Sequence, residues 1–264
     1  MNSYEKLINR IESTNSMLCV GLDSSIERLP VGVTRDIYGL MDFNLSIIDA
    51  TRNYAVAYKM NFAFYEQYGI EGMEALKKTF ESIPDGIFTI ADAKRGDIGN
   101  TSKAYAKMVF DYFHADSITV NPYMGADSVI PFLEYQDKFV FVLGLTSNHG
   151  SNDFQRLLML NNSLYEKVFE VSSQWAGERH LGYVVGATHP DELAQLRGKY
   201  PDRIFLIPGV GAQGGDAEEV CAANANGPAL VNASRAILYA SSNEDYGGKA
   251  HVAAKNFSEK LKLT

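Results

Sequence analysis

Thiol chemistry has little to work with in this 264-residue chain: Cys19 and Cys221 are its only cysteines, far apart and each in an apolar segment. Two such residues form neither a disulfide framework nor a metal knuckle, and a reducing cytoplasm is the compartment they suggest. Basic runs are missing as well. No stretch of Lys and Arg exceeds two residues and the formal charge is -8, so neither a nucleic-acid footprint nor a membrane-surface patch is present. The longest apolar stretch, Phe139 to Leu145, falls far short of the ~20 residues a membrane span requires. The start, Met1 to Arg10, lacks the apolar core of a signal peptide and reads as an amphipathic first helix. Histidines 114, 149, 180, 189 and 251 are scattered without ligand spacing, which points to no metal site. No cofactor motif, low-complexity linker or short-period repeat interrupts the chain.

What is there is regular alternation. Eight short apolar, β-branched runs are separated by helical patterns: Met17–Leu22, Ala55–Met60, Gly86–Ala93, Ser117–Val120, Phe139–Leu145, Leu181–Val185, Ile204–Ile207 and Ala229–Val231. Repeated βα units imply a parallel sheet. Eight of them in this length predict a single (β/α)8 barrel domain over residues 1–264, with its reactive groups at the C-terminal ends of the strands. Between strands, Glu71–Phe80, Ser102–Phe113, Ser163–Trp175 and Pro190–Lys199 carry helical spacing. Thr188 is expected to cap the last of these. Ser24–Asp36 and Ser147–Gln155 are expected as long rim loops, and Ser241–Gly248 as a polar surface loop.

Polar residues follow nearly every run, and the densest group is Asp92-Ala93-Lys94-Arg95-Gly96-Asp97-Ile98. Residues two apart on a strand share a face, so Asp92 and Lys94 are expected to project together with Ile90. On a buried face, ions are tolerated only beside an opposite charge or a ligand. A structural ion pair closing the mouth of a sheet is the plainest explanation for one such pair. Asp23 after the first run and Lys59 in the second extend it to an alternating set of four.

A second locus lies after runs seven and eight. Pro208-Gly209-Val210-Gly211-Ala212-Gln213-Gly214-Gly215 offers glycine-rich backbone, and Ser234-Arg235 a guanidinium fork beside a helix start. Barrels of this class often bind phosphate between those two loops. Gln213, Ser234 and Arg235 are therefore candidate phosphate ligands.

Gly21-Leu22-Asp23, Lys59-Met60-Asn61, the Asp92–Ile98 block, the Pro208–Gly215 loop and Asn232-Ala233-Ser234-Arg235 together resemble orotidine 5'-phosphate decarboxylase. Thr146-Ser147-Asn148 and Val184-Val185-Gly186-Ala187-Thr188-His189-Pro190 resemble its longer, bacterial-type branch. The resemblance implies decarboxylation of orotidine 5'-phosphate to UMP, without cofactor or metal. It implies that Lys94 protonates C6 and that Asp92 sits against the departing carboxylate. Lys59 would pair with Asp92 and contact the ribose, and Asp23 would hold a ribose hydroxyl. Ser147 would bind the pyrimidine edge while Gln213 and Arg235 grip the phosphate. A homodimer is implied too, with Asp97, Ile98 and Thr101 lent to the neighbouring subunit's site.

Two rivals remain. Sugar-phosphate decarboxylases or synthases of the same barrel group share Asp-x-Lys-x-x-Asp but use Mg2+, and would want an acid near strand two, where this chain has Lys59-Met60-Asn61. A barrel that merely binds a nucleotide phosphate would have little use for four such charges. Met60 is expected to face away from the barrel mouth.

Overall fold

The computed structural model describes residues 1–159, 162–211 and 215–263. Eight parallel strands close into a barrel: β1 (Leu18–Gly21), β2 (Ala57–Asn61), β3 (Phe88–Arg95), β4 (Ser117–Val120), β5 (Phe139–Leu145), β6 (Leu181–Val185), β7 (Phe205–Pro208) and β8 (Ala229–Ala233). Each pairs with its neighbours in sequence, and β8 closes on β1 through Leu18↔Val231. All eight expected runs are strands, and β4, β5 and β6 have the expected bounds. Among the described residues no helix is long and apolar enough to cross a membrane.

The near-continuous apolar character of the strands has two destinations. One face packs against the helices, where Val20, Tyr58, Met60, Ile118 and Val140 join the outer core layer. The other fills the barrel with Cys19, Ala57, Phe88, Ile90, Phe139, Phe141, Leu206 and Leu230. Met60 thus faces away from the barrel interior, as its position in the alternation requires.

The N-terminal end of the barrel is plugged by the first helix, Ser3–Thr14, which opens with a capping box between Asn2 and Glu5. Its Leu7 and Ile11 insert among the interior residues. A partly buried ion pair pins it there. Lys6 Nζ donates to Asp116 Oδ2 at 2.8 Å, and the same oxygen accepts the Thr89 amide at 2.9 Å and the Thr89 hydroxyl at 3.0 Å. Asp116→Ala should leave an ammonium and a strand amide without their acceptor. We expect a loss of about 2–4 kcal/mol in urea unfolding; a loss under about 0.5 kcal/mol, the level of an ordinary surface substitution, would contradict this pinning role.

Helices Gly69–Glu81, Leu164–Ser172 and Pro190–Lys199 lie where their spacing places them. The pattern over Ser102–Phe113 resolves into an α-helix, Gly99–Lys107, followed by a π-turn, Met108–Tyr112. The wider turn seats Phe110 and Phe113 in the core. Thr188 is not the cap of the following helix. Pro190 takes its first position, so His189 precedes it, and the Thr188 hydroxyl donates instead to the Ser147 carbonyl at 3.2 Å. The rim loops are partly ordered into short helical turns, Ile26–Arg28 and Ser151–Phe154. The polar loop from Ser241 ends early, because the final helix starts at Tyr246.

Candidate active site

At the C-terminal mouth a cavity of about 490 Å3 opens between the strand ends. Asp23, Lys59, Asp92 and Lys94 lie along one side of it, with Leu143, Val184 and Leu206 deeper and Gly209, Val210, Ser234 and Arg235 at the β7–β8 end. The register places these groups together: Gly21 lies beside Lys59 and Asn61 beside Asp92.

The four charges form one continuous chain. Lys59, 3% exposed, donates to Asp23 Oδ1 at 3.2 Å and to Asp92 Oδ2 at 3.1 Å. Lys94 Nζ reaches the other Asp92 oxygen, Oδ1, at 2.6 Å. Asp23 also accepts the Asn61 amide at 3.2 Å and the Ser234 hydroxyl at 2.9 Å, and Ser234 in turn accepts from Asn232 at 3.2 Å. Gly21 makes this possible, since a Cβ there would fall 1.9 Å from Ser234 Oγ.

Burial opposes the charge on Lys59, but the carboxylates of Asp23 and Asp92 outweigh it and hold its pKa above that of an ordinary lysine. Burial likewise favours a neutral Asp92. The ammonium groups of Lys59 and Lys94, with hydrogen bonds from Lys94 and Thr119, overcome that and hold the carboxyl at about 2. Both groups are therefore charged at neutral pH.

Lys94 does not arrive by simple alternation. Strand β3 slips against β4 between Ala91 and Arg95, so Ala91 faces Ile118 while Arg95 faces Val120. Lys94 sits within this bulge at φ 47°, a left-handed conformation that costs a lysine about 1–2 kcal/mol. Asp92 and Ile90 share the inward face as expected. Lys94 meets Asp92 because the backbone bends it there, leaving its side chain 47% exposed toward the cavity.

The chain has matching relatives. Residues 16–247 fit the model of the orotidine 5'-phosphate decarboxylase / HUMPS family. The chain belongs to this family. A curated orotidine 5'-phosphate decarboxylase of Christiangramia forsetii is 47% identical over 97% of this chain and 98% of its own length. One from Dehalococcoides mccartyi is 48% identical over 99% and 97%. Among solved structures, the Leishmania donovani OMP decarboxylase superposes with a TM-score of 0.87 at 38% identity, covering 99% of this chain and 98% of that one.

Of the residues that the family resemblance singles out, Asp23, Lys59, Asp92, Lys94, Ser147, Ser234 and Arg235 all line the cavity. Gln213 lies outside the described residues. Among the described residues on either side, Gly211 donates to Gly215 and Gly215 to Gly209. Asp97, Ile98 and Thr101 do not line the cavity of their own chain. Ile98 is 52% exposed, and Asp97 accepts the Ile98 amide at 2.7 Å.

The sequence motifs include Asn232 without a role for it, and Thr119 and Arg28 fall outside them. Thr119 binds Asp92 Oδ1 at 2.9 Å, and Arg28 lies over the Tyr239 ring at 3.8 Å on the cavity wall. The strand alternation could have found Thr119, since Ser117 and Thr119 are the polar half of Ser117-Ile118-Thr119-Val120.

Proposed function

We propose that this chain converts orotidine 5'-phosphate to UMP and CO2 without metal or cofactor, as a cytoplasmic enzyme, with Lys94 as the proton donor. The observation that carries the reading is the unbroken Asp23–Lys59–Asp92–Lys94 chain in a cavity that Arg235 also lines.

Breaking the bond from C6 to the carboxylate leaves its electron pair on C6, and the site must supply positive charge where that pair develops. Lys94 is the cation on the open side of Asp92. Its Nζ–H then passes to C6 and completes UMP. Asp92 is held ionised beside the position of the substrate carboxylate, and their repulsion is relieved as CO2 departs. Lys59 keeps the buried carboxylate of Asp92 and the half-buried one of Asp23 compatible and fixes the position of each. After β8, Arg235 offers a fork of donors to the phosphate, and Ser234, whose hydroxyl is engaged by Asp23, offers its backbone amide. Binding energy from the phosphate is thereby available to hold the ring against Lys94. Ser147 serves the pyrimidine edge, and Gln213 joins the phosphate grip.

Metal-dependent chemistry in the same barrel would need carboxylates free to coordinate. Here Asp23 and Asp92 share an ammonium between them, which favours the metal-free reading. Purified protein treated with EDTA should therefore consume orotidine 5'-phosphate at an undiminished rate, followed by the loss of substrate absorbance. No turnover, or turnover restored only by Mg2+, would overturn the proposal.

Arg235→Ala should raise KM about 100-fold or more with a smaller change in kcat, because it removes a charge-assisted grip remote from the reacting carbon. An unchanged KM would remove Arg235 from the phosphate site. Asp97, Ile98 and Thr101 are assigned to the site of a second copy. Their place outside the cavity of their own chain and the exposed apolar Ile98, Tyr123 and Met124 on the same rim support a homodimer.

A further inference from the structure

We propose that Thr119 is a positioning residue that sets Lys94 against Asp92 in the geometry needed for proton delivery; the inference rests on the reading of Lys94 given above. Lys94 occupies a left-handed backbone conformation inside a register slip. Such a conformation persists only where the surroundings over-determine it. The group that does so is the Thr119 hydroxyl. It accepts the Lys94 amide at 3.0 Å and contacts Asp92 Oδ1 at 2.9 Å.

The direction of both bonds follows from the chemistry of the groups. An amide can only donate, an ionised carboxylate can only accept, and a hydroxyl can do both at once. The proton of Thr119 therefore points to Asp92 while its lone pair receives Lys94 N–H. Asp92 Oδ1 is also the oxygen that Lys94 Nζ reaches at 2.6 Å. One hydroxyl thus closes a ring through the main chain of Lys94, its ammonium and the carboxylate. Thr119 is 1% exposed, and its β-branched side chain is stiff about χ1, so the clasp is rigid. It fixes the lysine's backbone and the carboxylate's rotation together, though it bears no charge itself.

Thr119→Val keeps the shape and removes the hydroxyl, whereas Thr119→Ser keeps the hydroxyl. With folding checked by circular dichroism, Thr119→Val should lower kcat about 100-fold with KM within about threefold of wild type, the size of effect expected when a reacting group is misplaced by an ångström. Thr119→Ser should recover kcat to within about fivefold of wild type. Should the valine variant fail to fold, Thr119→Ala takes its place with the same expectation. A wild-type kcat in the hydroxyl-free variant overturns the proposal, as does a loss confined to KM or a serine variant no better than valine. Lys94→Ala measured alongside separates the two readings. If it is inactive while Thr119→Val is normal, the Thr119 assignment alone falls; if it turns over at near-wild-type rate, the reading of Lys94 falls and takes this one with it.

Discussion

Lys94→Ala is expected to lower kcat by about 10^4-fold or more, because the variant loses both the general acid and the cation facing the developing carbanion. Binding of UMP should change by no more than about tenfold, since the phosphate grip is remote and the product lacks the departing carboxylate. The scaffold should tolerate the change. The side chain is 47% exposed, and Asp92 retains Lys59 at 3.1 Å and Thr119 at 2.9 Å. Alanine also keeps the same unfavourable left-handed backbone, so the substitution neither adds nor relieves strain of that kind. Single-turnover kinetics with a calorimetric titration of UMP would separate the two effects. Turnover within tenfold of wild type would refute Lys94 as the proton donor; loss of UMP binding in parallel with kcat would assign it to affinity instead.

Lys59→Ala should be the most damaging single change to the fold near the site. It leaves the carboxylates of Asp23 and Asp92, which now share one ammonium, facing each other in a buried setting. Removing one partner of a buried ion pair typically costs about 3–5 kcal/mol, and turnover should fall together with stability. The pH dependence carries a distinct signature. In the native protein the carboxyl of Asp92 is held at about 2, below its unfolded value. Its contribution to stability is therefore complete above the unfolded pKa and is lost as pH falls from about 4 toward 2. Without Lys59 the pKa of Asp92 rises, and protonation relieves the repulsion. The deficit of the variant relative to wild type should therefore shrink as pH is lowered from 7 toward 4. Urea midpoints across that range would test it, and a deficit independent of pH would assign the loss to packing alone.

Much of this protein was legible in its sequence. The eight strands, the barrel they close and the faces of Met60, Asp92 and Lys59 follow from period-two alternation and from short apolar runs, which are local properties of the chain. The motifs at the strand ends, Thr146-Ser147-Asn148 included, placed seven of the proposed site residues on one cavity, because strand ends in a closed parallel barrel all point to one rim. The partnerships among those residues were not legible. Lys59 meets Asp23 and Asp92 across sequence separations of 36 and 33, and Ser234 meets Asp23 across 211. The register slip between β3 and β4 bends Lys94 out of the alternation that its position implies, and Thr119 supplies the hydroxyl that holds it there. A strand's own sequence specifies which residues face inward, through the pleat. Which inward groups touch, and at what backbone cost, depends on the stagger between neighbouring strands, and that stagger is set only when the whole barrel closes.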